Sequence, residues 1–367
     1  MSTRILLDAR AAQRTVDGIT RFSIEVAGHL VRQRRDWKLA VLVHPSAMGH
    51  FEPMGIELIR STVPRFKPGE NARLSPFVRG FKPDAYVNFS MAGPTPDGIP
   101  TIITVHDLMV LNVPCYFGNG IIRNALYRRR FRAVIGRSAS HASAIACPGQ
   151  TTKREIARRF PDAAGKVFVT GEGQSFFGPG EGCATGREDG PLLVVGNARA
   201  YKNLPRLLTA YGRVWAMKRD IPPMVMAVRS DRALREFRAH LSTNPAAERI
   251  TVLSAVSDSD LRDLYLSCRA LLMPSVYEGF GLPALEAMAS GAPVMVSRGT
   301  ALEELAGGAG VLVDPHSVTD IARGIAELSV ATPSELAEMG ASGIRRSACF
   351  SWEKTARSFA GVIEGMA

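Results

Sequence analysis

The sequence predicts an α/β protein of two doubly wound, parallel-sheet domains. Three observations lead there. The chain has 367 residues, two domains' worth at roughly 100–200 residues each. Short, near-continuous apolar runs alternate with helical segments, the pattern of parallel strands buried on both faces. A polar, glycine-rich stretch (GPGEGCATGREDG, 178–190) interrupts the alternation, which then starts again.

In the first half the apolar runs predict strands over 4–8, 39–43, 85–89, 101–105, 143–147 and 167–170. Helices are predicted between them, among them 19–33 and 121–137. The expected N-terminal domain is 1–177, with 178–190 as a linker. In the second half, strands are predicted over 192–195, 224–228, 250–253, 270–273, 293–296 and 310–313, with a helix over 204–217 that carries Pro205 in its first turn. These make a C-terminal domain of 191–350. A last helix, about 351–366, can pack on either domain by its pattern alone. Two such domains in series predict an interdomain cleft, and open α/β sheets bind ligands beyond the carboxyl ends of their strands.

Composition narrows the class. With 46% hydrophobic and 22% charged residues the chain is an ordinary globular one. No apolar stretch approaches the ~20 residues that span a bilayer, and Met1–Arg4 runs into a strand rather than a signal peptide. The five cysteines are scattered without a C-x-x-C pair, which suits a reducing cytosol. His29, His44, His50, His141, His240 and His316 show no metal spacing. The net charge of +11 is uneven. Residues 121–160 hold ten basic side chains against Glu155 alone, a face suited to anionic partners.

Four constellations sit after predicted strands. The strongest is ALLMPSVYEGFGLPALEAMASG, 270–291. Here a buried strand ends at Met273-Pro274, a loop with Gly279 and Gly281 follows, and a helix opens near Pro283 and stops at Gly291. The glycines permit close approach of backbone to a ligand, and the helix start suits an anion. Glu278 and Glu286 flank it, and ionised carboxylates accept strong hydrogen bonds from hydroxyls. Phosphate affinity beside hydroxyl affinity points to a nucleotide or nucleotide sugar. The second is VGNARAYKNLP, 195–205, where Arg199 and Lys202 suit a diphosphate and its developing charge without a metal. The third is His106-Asp107, after the strand over 101–105. The fourth is the loop before the first helix, where Gly18 would admit an acceptor or phosphate.

At these residues a resemblance becomes specific. EGFGLPALEAMASGAPV, 278–294, resembles the signature of glycosyltransferase family 4, retaining enzymes of the two-domain GT-B fold built from Rossmann-like units. Its Glu, seven residues, Glu pattern falls on Glu278 and Glu286. GNARAYKNLPRLLTAY resembles the family's diphosphate-binding segment, TVHDL its N-terminal histidine segment, SDSDLRDLY the stretch before its base-binding region, GITRFSIEVAGHL its first-helix glycine loop, and FSWEKTA its C-terminal segment, whose helix crosses back to the N-terminal domain. The resemblance implies that Glu286 holds the ribose hydroxyls, and that Glu278 with the backbone of Gly279, Phe280, Gly281 and Leu282 holds the sugar and phosphates. It places His106 at the donor sugar and Arg199 and Lys202 on the diphosphate, so that His106, Arg199, Lys202 and Glu278 carry the catalytic roles. It implies no bound metal, no cofactor beyond the nucleotide-sugar substrate, and no protein nucleophile. The departing diphosphate would help deprotonate the acceptor.

The expectation is therefore a hexosyltransferase, first a mannosyltransferase using GDP-mannose, acting on a glycan or lipid-linked acceptor in bacterial surface polysaccharide or lipopolysaccharide assembly. It would be cytoplasmic and peripheral on the inner membrane face through 121–160. UDP- and dTDP-sugar donors, or a nucleotide-sugar epimerase of the same fold, are the alternatives. A dinucleotide oxidoreductase is disfavoured because Gly279-x-Gly281-x-x-Ala284 lies outside the first βα unit and the next strand ends in Ser297-Arg298, not in an acid. Nucleic acid is not an expected partner, since aromatics are 7% and no recognition signature appears. Three stretches depart from the family pattern: Pro148-Gly149-Gln150, Arg229-Ser230 and GEGQSF at 171–176.

Overall fold

A computed structural model describes residues 3–67, 69–114, 116–118, 120–178, 180–183, 185–228 and 241–366. Cys115, His240 and Arg229-Ser230 lie outside the described residues. The chain divides into two compact units, Met1–Gly173 with Ser351–Ala367, and Gln174–Phe350.

The first unit is a seven-stranded parallel sheet in the order β3-β2-β1-β4-β5-β6-β7. Its strands are β1 Arg4–Asp8, β2 Lys38–Val43, β3 Glu57–Arg60, β4 Ala85–Asn88, β5 Thr101–Thr104, β6 Ala144–Cys147 and β7 Val167–Val169. β3 is the strand that sequence reading does not find. It is four residues long, lies at the sheet edge and buries no side chain fully, so it lacks the apolar run that marks its neighbours. The helix Trp352–Glu364 packs on helix Gly18–Gln33 of this unit. Phe359, wholly buried, meets Phe22, Phe89 and Phe168 edge-on at 6.1, 6.1 and 5.7 Å. A Cβ on Gly173 would stand 2.3 Å from the Trp352 backbone nitrogen, so glycine is needed where that helix begins.

The second unit repeats the plan with six parallel strands in the order β10-β9-β8-β11-β12-β13. They are β8 Leu192–Gly196, β9 Met224–Val228, β10 Ile250–Leu253, β11 Ala270–Met273, β12 Val294–Ser297 and β13 Val311–Val313. Alternation along each strand sends side chains to opposite faces. Leu192, Val194, Met226 and Leu272 join one apolar cluster, while Leu193, Leu271, Met273 and Val296 join another. The predicted α/β class with two doubly wound sheets is thus the observed one.

The stretch read as a linker is packed into this second unit. Arg187 is 1% exposed and donates to the carbonyls of Cys183, Tyr265, Cys268 and Ser290. Its polar, glycine-rich composition reflects a loop that delivers one buried guanidinium to orphan carbonyls, not a free tether.

Candidate functional site

Strand order decides which loops meet. In the second unit the order reverses at β8 and β11, which pair directly through Leu192 with Ala270 and Leu193 with Leu271. Ligands of open α/β sheets settle beyond such a switch point. The two loops leaving it are the two strongest motifs of the sequence.

Each loop is held in shape by its own residues and by the other loop. Gly196 has φ 150°, and a Cβ there would press on the Lys202 side chain at 3.2 Å. The Asn197 amide oxygen accepts from the Arg199 N–H at 3.1 Å, and its nitrogen donates to the Tyr201 hydroxyl at 3.0 Å. The short turn Ala200–Lys202 ends at Asn203, which takes the left-handed conformation at φ 63° that asparagine tolerates. Asn203 is 2% exposed, and its amide donates to Pro274 O at 2.9 Å and to Pro315 O at 2.6 Å. Val276 N–H donates in turn to Tyr201 O at 2.8 Å. The first loop is thereby fastened to the start of the second.

This arrangement brings Lys202 Nζ to 2.7 Å from Glu278 Oε1, with both side chains 11% exposed. The contact is close in distance but not aligned, for that carboxylate oxygen has no hydrogen bond of good geometry among the described residues. Beside it, Ser275 Oγ is buried without a hydrogen-bond partner among those residues. Gly196, Asn197, Lys202 and Ser275 line a cavity of about 10 Å³, room for one water-sized group. A larger hollow of about 500 Å³ lies beside the starts of β12 and β13, against Gly308–Leu312 and Glu338. Of the motif residues it carries only the apolar Val294 and none of the charged or glycine positions, so the chemistry favours the smaller one.

The helix after the second loop is Leu282–Ser290, with Pro283 in its first turn and Gly291 in the left-handed conformation at its end. No side chain caps its start, where Gly281 takes φ 115°. A Cβ on Gly281 would stand 2.4 Å from Leu302 Cδ2, so both the backbone and the packing require glycine. Gly279 is not among the left-handed glycines. Phe280 is 8% exposed and packs edge-on to Phe350 at 5.6 Å. Glu286, one turn in, is 5% exposed and accepts from the buried Tyr265 hydroxyl at 2.7 Å. A carboxylate held this way keeps acceptor capacity and a fixed direction. Arg199 is exposed in the first loop.

His106 and Gly18 lie on the first unit. His106 follows β5, with Nδ1 3.4 Å from Glu172 Oε1, Nε2 3.4 Å from Phe89 O, and its ring edge-on to Phe22 at 4.6 Å. Glu172 belongs to the GEGQSF stretch, whose departure from the family pattern places a buried acid beside the histidine. Asp107 accepts from Met109 N–H at 2.7 Å and so shapes the following turn. Gly18 opens helix Gly18–Gln33, but Asp17 caps that helix by accepting from Thr20 N–H at 2.9 Å. Asp17 thus already serves one N–H of the helix start where an acceptor or phosphate is expected.

Sequence reasoning named Lys202, Glu278 and Glu286 but not Asn203, Ser275, Tyr265 or Glu172. Tyr265 ends SDSDLRDLY, yet nothing in its spacing points to Glu286. Among the described residues no three His, Cys, Asp or Glu side chains group as a metal site, and no helix is long and apolar enough to cross a membrane.

Residues 186–344 match the family model described as glycosyl transferases group 1. Over 167 residues the chain is 35% identical to the serotype-specific mannosyltransferase WbdA of Escherichia coli, covering 45% of this chain and 20% of WbdA. Over 172 residues it is 36% identical to the O-antigen chain mannosyltransferase B of Escherichia coli, covering 45% of this chain and 43% of that protein. The chain thus spans from a fifth to under half the length of these two relatives. In three dimensions it is similar to Anabaena Alr3699/HepE, solved in complex with UDP and glucose. The TM-score is 0.73 at 16% identity, over 99% of this chain and 100% of that one, a likeness of fold.

Proposed function

Because residues 186–344 are a glycosyl transferases group 1 domain, we propose that this protein transfers a hexosyl group from a nucleotide-diphosphate sugar to a glycan or lipid-linked acceptor. The observation that carries the reading is the Lys202–Glu278 pair, 2.7 Å apart on the two loops that leave the switch point of that domain. Lys202 is the cation for the departing diphosphate, and its poorly aligned contact leaves it free to turn toward a stronger anion. Arg199 adds a second cation from the same loop. Glu278 and the backbone of Gly279, Phe280, Gly281 and Leu282 hold the sugar and phosphates. Glu286, steadied by Tyr265, takes the ribose hydroxyls. His106, beside Glu172, serves the donor sugar.

The donor is GDP-mannose in this reading, supported by relatives named mannosyltransferases, and the setting is surface polysaccharide assembly. Transfer proceeds with retention of anomeric configuration and without a bound metal. UDP-glucose is the second donor to try, since a protein of similar fold was solved with UDP and glucose. The protein works at the cytoplasmic face of the membrane. Helix Ile121–His141 supports this placement, with Ile121, Ile122 and Leu126 84, 78 and 64% exposed among its arginines. Apolar side chains framed by cations suit an anionic bilayer surface, where each Lys or Arg contributes roughly 1 kcal/mol. Indifference to anionic liposomes at physiological salt would remove that placement.

A melting-temperature panel with GDP, UDP, dTDP, ADP, NAD and single-stranded DNA tests the function. A ligand at 100 times its dissociation constant adds about 2.7 kcal/mol. Stabilisation by GDP alone is the expected result. Stabilisation by NAD or DNA, with none by any nucleoside diphosphate, overturns the reading. Release of a changed nucleotide sugar without acceptor would make the protein an epimerase instead.

A further inference from the structure

The carboxyl ends of the first unit's strands carry a second group of charges, separate from the histidine segment. Asp8 ends β1 and is 2% exposed. Arg10 donates to both its oxygens at 2.7–3.0 Å and reaches Glu70 Oε1 at 3.0 Å. The Tyr86 hydroxyl donates to Asp8 as well, and Phe66 N–H takes Glu70 Oε2 at 2.6 Å. Every oxygen of the two acids therefore already has a donor.

Arg65, in the loop after β3, is left outside this closed set. It is half-buried, and no carboxylate of the described residues lies within ion-pair distance of it. Among the described residues its one hydrogen bond is to Ser90 Oγ, at 2.5 Å, in the loop after β4. Its guanidinium also lies 4.9 Å from the Phe66 ring centroid. Burial, helped by the like charge of Arg10, draws its pKa below the usual arginine value despite the nearby carboxylates of Asp8, Glu70 and Asp17. A second cation converges on the same residue, for Arg130 Nη2 donates to Phe66 O at 2.6 Å. A guanidinium has five donors in a planar fork that matches phosphate and carboxylate oxygens. None of Arg65's nitrogens is sealed away without a partner, as the Nε atoms of Arg128 and Arg159 are. The fork keeps an open side.

We infer that Arg65, Arg130 and Ser90 form an oxyanion subsite on the first unit, which holds the phosphate-type group of the acceptor. The word acceptor rests on the transferase reading; the anion site does not. Two sources supply that chemistry, a lipid-borne diphosphate and a soluble phosphorylated glycan.

The test titrates inorganic pyrophosphate into the full chain by calorimetry, in a Lys202→Ala background, with Arg199→Ala added, that weakens the other diphosphate site. Binding should persist in that background, and adding Arg65→Gln should weaken it about tenfold or more. Arg65→Lys should recover part of the loss, and Arg130→Gln should cause a smaller one. If Arg65→Gln lowers the melting temperature, Arg65→Lys and Arg130→Gln carry the test. Affinity within twofold in all three variants, or no pyrophosphate binding in that background, overturns the proposal. Phosphatidylcholine vesicles with and without a prenyl diphosphate separate the sources. Arg65-dependent retention on the prenyl diphosphate vesicles supports the lipid, and pyrophosphate binding without such retention supports the soluble glycan. Arg65-dependent pyrophosphate binding in a chain that binds no nucleoside diphosphate would sink the transferase reading and leave the subsite standing.

Discussion

The two sheets run in the same strand order, and each places ionised side chains where its order reverses, yet they treat those charges oppositely. In the first unit Asp8, Arg10, Glu70 and Tyr86 close on one another, with Asp8 and Arg10 side chains 2% exposed and every acid oxygen supplied with a donor. In the second unit Lys202 and Glu278 are near but misaligned, 11% exposed, beside a buried hydroxyl that has no partner among the described residues. A closed network fixes a shape, whereas an open pair can exchange partners. One topology thus carries a closed network in one unit and an open pair in the other, and the difference lies in a handful of side chains.

The largest expected effect is on the closed network. Arg10→Met strands two buried carboxylates and should cost the first unit about 3–5 kcal/mol, read as an earlier denaturant transition of that unit alone. A loss under about 1 kcal/mol would mean that the acids find other donors, and the contrast would fail. The same network sets an acid response. Burial alone would push the Asp8 carboxyl up, but the charge and hydrogen bonds of Arg10, with the Tyr86 hydroxyl, hold it below the usual range. Its contribution is then fully present above the unfolded value, about 3.9, and is lost as pH falls through the lower folded value. Acidification below about pH 4 should narrow the stability gap between the wild type and Arg10→Met.

The open pair should fail in function rather than in folding. On the transferase reading, Lys202→Ala should lower turnover about 10²–10³-fold with little change in melting temperature, because Lys202 would meet a charge that grows in the transition state. Glu286→Ala should weaken nucleoside diphosphate binding by roughly 1.5–3 kcal/mol and lower turnover less than Lys202→Ala does. The reverse ordering would take Lys202 off the leaving group. Tyr265→Phe should give the smallest change, about 1 kcal/mol in nucleotide affinity, since Glu286 keeps its place but loses one donor. An effect equal to that of Glu286→Ala would make the hydroxyl itself a ligand contact.

Much of this was legible before any coordinates, for physical reasons. Strands buried on both faces write themselves as apolar runs, so twelve of the thirteen strands among the described residues can be placed from sequence. β3 escapes because an edge strand need not be apolar. The loops bearing Lys202 and Glu278 stand out because glycine, proline and charge crowd into short stretches. What cannot be read is which distant loops adjoin. Asn203 reaches Pro274 because β8 lies against β11, and Tyr265 reaches Glu286 because the helices before and after β11 pack on each other. Composition also misleads. A glycine-rich stretch reads as a tether although Arg187 fastens it to the second unit through the carbonyls of Tyr265, Cys268 and Ser290.

The return of the chain to its first unit has a consequence for how the protein is made. Phe359 and Trp352 complete a ring of aromatic contacts with Phe22, Phe89 and Phe168, although roughly the whole second unit is synthesised in between. On a ribosome the second unit has all its strands while the first still lacks its last helix. The first unit therefore cannot be complete until the second has been made, and it holds an unfilled apolar seam until residues 351–367 emerge.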